Sequence, residues 1–366
     1  MLRTKILLGL AILIGSCQGF STTFSTRSNY VVNSNVVKQE PNKKSLTLLT
    51  TTSTHQRSTT TKTGTSLSAV TIPPEVLTSF LPPILGFYRS EFGVSYAYGL
   101  ATALSGVSIL RRFSPATNTV LPMHAMALIF YGFRLNAFLA IRTLLSARLR
   151  AFIDKIEERA KARGNRLSRA PFIISCGFLY YGLAAPLFFT SQLTSEMMKP
   201  SWVLPFMKTL VGLEWFGFGI AAIGDFTKTF VKKTKGDDTL VTSGIFSLLR
   251  HPNYTGEMIG WTANSVCGLV GFTLLAKAAT SRAALLKLIG NFIIQSLGLV
   301  GITFVLMQAT TGLEKRQQEK YGDKPEYASW VKSSWGGWTL PAKKEMKAES
   351  KIELDESQIE EYGSGI

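Results

Sequence analysis

The chain has 366 residues and a formal charge of +17; 46% of its residues are hydrophobic and 17% charged. The apolar residues gather into blocks of roughly 20, the length of a bilayer-crossing helix, which excludes an ordinary soluble domain and gives an all-α polytopic membrane protein. The basic excess lies between these blocks and near the N-terminus instead of lining one soluble face, so topology and targeting explain it and no nucleic-acid partner is expected.

Residues 1–19 read as a signal peptide. Arg3 and Lys5 form its charged start, Ile6 to Gly15 its apolar centre, and Cys17 and Gly19 the small residues before a cut at Phe20. Residues 20–68 are rich in Ser and Thr, with scattered Lys and Arg and the single acidic residue Glu40. Such a segment cannot bury a core and has the composition of a transit peptide. A signal followed by a Phe-led transit segment resembles the two-part presequence of algae with complex plastids, such as diatoms. The resemblance implies a plastid address; an endoplasmic-reticulum protein with a Ser/Thr stem is the alternative.

The membrane domain is expected over 69–341. Six apolar blocks, near 92–110, 121–141, 171–190, 202–224, 254–276 and 288–308, predict about six transmembrane helices. Before them, Ile72 to Tyr88 is apolar but broken by Pro73, Pro74, Pro82 and Pro83, which suits an interfacial or re-entrant segment. Arg142 to Arg169 carries nine basic and three acidic residues. Its Leu144, Leu145, Leu149, Phe152, Ile153 and Ile156 recur at helical spacing and predict a surface amphipathic helix. This loop and the basic loop 226–250 are expected on one side, stroma or cytosol, with the chain after Ala309 joining them. Trp202, Trp215 and Trp261 read as interfacial anchors, and His124 as a satisfied interface histidine. Cys176 and Cys267 stand alone in apolar blocks, so no metal site is expected. Residues 342–366 read as an acidic, disordered tail.

Chemistry concentrates at Arg250-His251-Pro252-Asn253-Tyr254-Thr255-Gly256-Glu257, directly before the apolar run Met258 to Ala276. Polar groups at a membrane edge are costly unless they meet a ligand, a partner or water. Asp225, Lys228 and the segment Glu314 to Tyr327 are expected to converge with it on one face. Arg134, inside an apolar block, either pairs with a carboxylate such as Glu214 or Asp225 or faces that site.

From Gly244 through Glu257 the chain resembles the C-terminal domain of the steroid 5-alpha-reductase family, closest to its branch of uncharacterised multi-span proteins. Gly224-Asp225-Phe226-Thr227-Lys228, Arg134-Leu135-Asn136 with Arg142, and Glu314-Lys315-Arg316 with Tyr321-Gly322 and Glu326-Tyr327, running on to Pro341, fit the same pattern. The likeness covers roughly 120–341 and leaves out the first helix; Thr255 and Trp330 depart from the family's usual residues. It implies NADPH-dependent reduction of a carbon–carbon double bond in a lipid-like substrate: a sterol, isoprenoid or acyl lipid. Arg250 and Arg316 would meet phosphates, and Asn253 and Glu257 ribose or amide. Tyr254 and Tyr327 would form walls, with His251, Asp225, Lys228, Arg134, Glu314 and Tyr321 completing the cofactor site. Tyr254, His251 and Glu257 are the catalytic candidates, and a residue on the early helices could equally supply the proton. An S-adenosylmethionine-dependent membrane methyltransferase and a non-catalytic lipid-binding protein are the alternatives. No glycine-rich dinucleotide fingerprint follows a strand, so a Rossmann site is not expected.

Overall fold

The computed structural model describes residues 73–113, 119–236 and 238–340, and these are 82% helical with no strands. The signal and transit segments, Pro341 and the acidic tail lie outside the described residues.

The proline-rich opening folds as short pieces, α1 (Pro74–Phe80), a 3-10 turn (Pro82–Ile84) and α2 (Leu85–Tyr88). Each proline removes an amide donor and blocks helix continuation, so no span forms here. Long helices follow: α3 (Ser95–Arg112), α4 (Leu121–Leu145), α6 (Ala170–Ser191), α7 (Val203–Lys235), α8 (Pro252–Ala278) and α9 (Arg282–Tyr321). All six lie in segments long and apolar enough to cross a membrane, matching the six expected blocks. Exposed Phe133, Phe216, Leu297 and Val300 suit a lipid-facing surface, where burial against protein is not required.

Two helices outrun their apolar blocks. At 1.5 Å per residue α7 is about 50 Å long and α9 about 60 Å, against a hydrocarbon core of about 30 Å. Their polar last turns, with Lys228, Lys232 and Lys233 on α7 and Arg316 and Lys320 on α9, therefore extend past the apolar layer. Between α4 and α6 lies α5 (Ala147–Ala162), with Leu149 and Ile153 buried. Here the expected amphipathic helix is shortened. Ser146 interrupts the chain and caps α5 by accepting from the Leu149 amide at 3.2 Å, so Leu144 and Leu145 belong to the end of α4. The far end of α5 is fastened where Arg169 donates twice to Glu157, at 3.1 Å each, and the Ser90 amide donates to it at 3.0 Å. Against the penalty of burial, these donors hold the Glu157 carboxyl below its usual range.

The α7–α8 contact positions the site. A Cβ on Gly217 would come 2.5 Å from the Gly256 carbonyl oxygen and 2.5 Å from the Gly260 amide nitrogen. Only glycine permits this backbone approach, the small-residue packing of membrane helices. It brings Asp225 of α7 and Glu257 of α8 within reach of one arginine on α4.

Trp261 corrects the sequence expectation. It is 1% exposed, packed edge-on against Tyr131 with centroids 5.0 Å apart and against Phe218 at 5.1 Å. It is a core residue, because the helix face it occupies turns towards α3 and α4 and away from lipid. Trp202 is 59% exposed, and Trp215 donates to the Met123 carbonyl at 3.0 Å.

Candidate functional site

The polar ends of α4, α7 and α9, with α5 and the entrance of α8, surround a cavity of about 880 Å³. Eight of its lining residues are Lys or Arg (Arg142, Lys155, Lys228, Lys232, Lys233, Arg250, Arg316 and Lys320), and among the described residues none that lines it is Asp or Glu. Two of these cations meet carboxylates that stand behind the wall: Glu314 meets Arg250, and Asp238 meets Lys320. The positive excess that remains favours an anionic occupant, since like charges gathered around low-dielectric walls focus the field on the space between them. Phe138, Leu149, Phe152 and Leu313 give the cavity apolar patches beside the cations.

Of the residues singled out in the sequence, Lys228, Arg250, His251, Asn253, Arg316 and Tyr321 line this cavity. Arg134, Asp225, Tyr254, Glu257, Glu314 and Tyr327 stand outside its lining, and the partners of five of them explain what they do.

Glu314 is the hub of the α8 entrance. Its Oε1 accepts from Arg250 Nε at 2.8 Å and from His251 Nε2 at 2.6 Å. Arg250 Nη1 also donates to the carbonyls of Val331 at 3.0 Å and Ser334 at 2.5 Å. The main chain repeats the link: the Arg250 amide donates to Trp335 O and the Trp335 amide to Leu248 O, both at 2.9 Å. Arg250 thus borders the cavity while clamping the C-terminal segment. His251 occupies the position before α8, with Pro252 fixing the first helical turn, yet its side chain makes no capping bond. Burial lowers the His251 pKa from its usual value, with Glu314 opposing the shift. A neutral imidazole donates through Nε2 to Glu314. Tyr327 packs on Tyr321 and Trp330 beyond the clamp, and Trp330 donates its indole N–H to Phe246 O at 2.6 Å. That bond gives the unusual tryptophan a structural reason.

One helical turn beneath the cavity lies a second polar layer from the same helices. Phe138, Lys228 and Asn253 face the cavity. Arg134, Asp225 and Glu257, four, three and four positions away along α4, α7 and α8, pair with one another below it. Arg134 donates to Asp225 at 2.6 Å and to Glu257 at 3.3 Å, while Tyr131 donates to Glu257 at 2.9 Å. The guanidinium also lies 4.8 Å from the Tyr131 ring centroid, within cation–π range. Of the two expectations for Arg134, carboxylate pairing is the one realised, and Glu257 is the additional partner.

Residues 94–334 match the model of a family described as protein of unknown function, DUF1295. The chain belongs to that family. Its members are uncharacterised membrane proteins related to steroid 5-alpha-reductase. The match begins at Val94, so it takes in α3, which the sequence resemblance left out, and it ends at Ser334, before Pro341. No curated protein and no solved structure matches the chain.

The sequence reading missed Lys155, Lys232 and Lys233 as site residues because it counted them only as basic-loop charge, and it missed Lys320, inside the expected Glu314 to Tyr327 segment, because that residue is not among those that carry the resemblance. It also missed Tyr131, one turn from Arg134 on the same face of α4. A Tyr-x-x-Arg spacing inside an apolar block was the available signal, since residues three apart on a helix are neighbours.

Proposed function

We propose that this family member is an NADPH-dependent reductase of a carbon–carbon double bond in a lipid-like substrate. The observation that carries the reading is the gathering of eight cations in the cavity wall, where the described lining residues include no Asp or Glu. A dinucleotide with several phosphates needs that charge, and the volume of about 880 Å³ falls within the 300–1,000 Å³ typical of ligand pockets. Arg142, Lys228, Lys232 and Arg316 would hold phosphates, and the Asn253 amide would orient an amide-bearing ring. The bound nucleotide would supply the hydride.

The proton is the protein's contribution. Below the cavity, the hydroxyl of Tyr98 and the indole Nε1 of Trp261 are buried side by side, their rings 5.9 Å apart. Both belong to the aromatic group around Tyr131, with the Tyr98 and Tyr131 rings 5.4 Å apart. They are positioned to donate to a polar group on a substrate entering between α3, α4 and α8. Tyr131, held on Glu257, would keep the neighbouring ring in place. Tyr98 then supplies the proton from the early helices, a role that suits it better than Tyr131 or His251, whose hydrogens are engaged by Glu257 and Glu314. The expected presequence would deliver this chemistry to a plastid membrane, where the substrate would be an isoprenoid or acyl lipid.

Thermal unfolding of purified full-length protein with each nucleotide tests the reading. NADPH is expected to raise the melting temperature in a concentration-dependent way, whereas S-adenosylmethionine leaves it unchanged. Stabilisation by the methyl donor alone would replace the reductase with a methyltransferase.

A further inference from the structure

A third polar group lies deeper in the bundle, apart from the cavity and from the Arg134 cluster. Glu214 on α7 is fully buried, and neither of its carboxylate oxygens has a hydrogen-bond partner. At 1.5 Å per residue it stands about 18 Å along the helix from exposed Trp202 and about 21 Å from Lys228, which places it near the middle of the apolar layer. An isolated carboxylate at that depth is strongly disfavoured. Its nearest cationic candidate is His124 of α4, with Nε2 at 3.6 Å from Oε2.

The neighbours of His124 define where hydrogens sit. Asn264 of α8 donates through Nδ2 to the Leu183 carbonyl at 2.9 Å, which fixes its amide orientation. Its Oδ1 therefore faces His124 Nε2, at 2.8 Å, as an acceptor. With acceptors from both Asn264 and Glu214 in front of it, Nε2 must carry hydrogen. On the other side of the ring, Nδ1 lies 3.0 Å from Thr190 Oγ1, and that hydroxyl lies 3.1 Å from the Pro186 carbonyl. Thr190 has one hydroxyl hydrogen. If it goes to Pro186 O, Nδ1 donates to Thr190 and the ring is an imidazolium facing a carboxylate. If it goes to Nδ1, the ring is neutral and Glu214 must be a carboxylic acid to avoid a bare buried charge. Both arrangements fit the same heavy atoms, and both hold one proton more than a neutral imidazole beside a carboxylate.

We propose that His124 and Glu214 together form a proton-binding site in the middle of the membrane, holding one proton between them. The ligand needs no cavity, which agrees with the close packing of the four helices that meet there. Among the described residues, the other titratable side chain against the pair is Cys267 of α8, with its Sγ 4.0 Å from Nδ1 and 3.9 Å from Thr190 Oγ1; Thr190 of α6 carries no charge. Because the bound proton joins α4, α6, α7 and α8, its loss would leave a bare carboxylate at their junction and loosen the packing. A group that served only to lock helices would not require a carboxylate without donors; the neutral Asn264 and Thr190 already provide that lock.

The test uses full-length protein in zwitterionic lipid nanodiscs and needs no nucleotide, so it stands independently of the reductase reading. The chain has three histidines, and the signal of His124 in 15N-histidine NMR is identified by its loss in His124→Gln. Infrared spectroscopy at neutral pH reads the protonated-carboxyl band in parallel. Two results support the site: a carboxyl band lost in Glu214→Gln with neutral His124, or a doubly protonated His124 with no such band. A neutral His124 together with an unchanged carboxyl region in Glu214→Gln would overturn it. Should Glu214→Gln fail to fold, Glu214→Asp is expected to shift the same band, and an unshifted spectrum with a neutral His124 would equally overturn the site.

Discussion

The cavity and the ion cluster beneath it share three helices, α4, α7 and α8, one turn apart, yet they handle charge in opposite ways. Around the cavity, cations gather about open space, and Glu314 and Asp238 meet two of them from behind. In the cluster, one guanidinium sits between two carboxylates and a tyrosine hydroxyl, sealed from water. Compensated charge of the second kind fixes the register of helices, whereas a gathering of like charges of the first kind attracts something from outside. Residue type alone does not distinguish the two, because Arg134 and Arg142 lie two turns apart on one helix and do different work.

The largest effect should follow from breaking the compensated side. Arg134→Leu leaves Asp225 and Glu257 buried without their cation and is expected to cost about 3–5 kcal/mol. Loss of the folded fraction in detergent, read by size exclusion and thermal unfolding, checks this; a melting temperature equal to wild type would show that the cluster does not hold the helices. Next comes the cavity wall. Replacing Lys232 with Glu should weaken NADPH binding by roughly 10- to 100-fold, the equivalent of a charge-assisted hydrogen bond worth about 1.5–3 kcal/mol. Its melting temperature without nucleotide should stay near wild type, and added salt should narrow the difference in affinity. Equal affinities for the two proteins would remove this part of the wall from the binding site.

Gly217→Ala sharpens the comparison from the packing side. The added methyl would meet the Gly256 carbonyl oxygen at 2.5 Å, so α7 and α8 must separate. About 1–3 kcal/mol of stability should be lost, with nucleotide affinity falling as Asp225 and Glu257 move out of register with Arg134. The smallest effect concerns His251. Its pKa is lowered in the folded protein by burial, so its contribution is present above the unfolded value, near 6.5, and is lost as pH falls below it. Between pH 7 and pH 5 the decline attributable to this residue should not exceed about 1.4 kcal/mol per pH unit. It should be absent in His251→Asn, and a pH profile unchanged by that substitution would count against a buried neutral imidazole.

Much of the fold was legible because hydropathy reports directly on the apolar layer. All six spans fell where apolar blocks of the right length stood. Helix ends were less so: the block expected at 288–308 is the middle of a helix running from Arg282 to Tyr321. Backbone hydrogen bonds continue after the side chains turn polar, and hydropathy does not register them. The polar segment from Arg250 to Glu257 announced a site, and the resemblance supplied its companions. Which of them face the cavity was not readable, because that depends on interhelical register. Gly217 against Gly256 sets that register for Asp225 and Glu257, and no local pattern around either acid encodes it. Trp261 shows the same gap, since a tryptophan near a helix end reads alike whether its face meets lipid or protein.

The strand-like contact of Leu248 and Arg250 with Trp335 carries a consequence for biosynthesis. Arg250, which lines the cavity, is clamped by residues made after every apolar helix. A chain truncated before residue 325 should insert all its spans and still lack the clamp on Arg250. Maturation of the site would then be a late, post-insertion event, timed by the arrival of the short stretch that follows the last span.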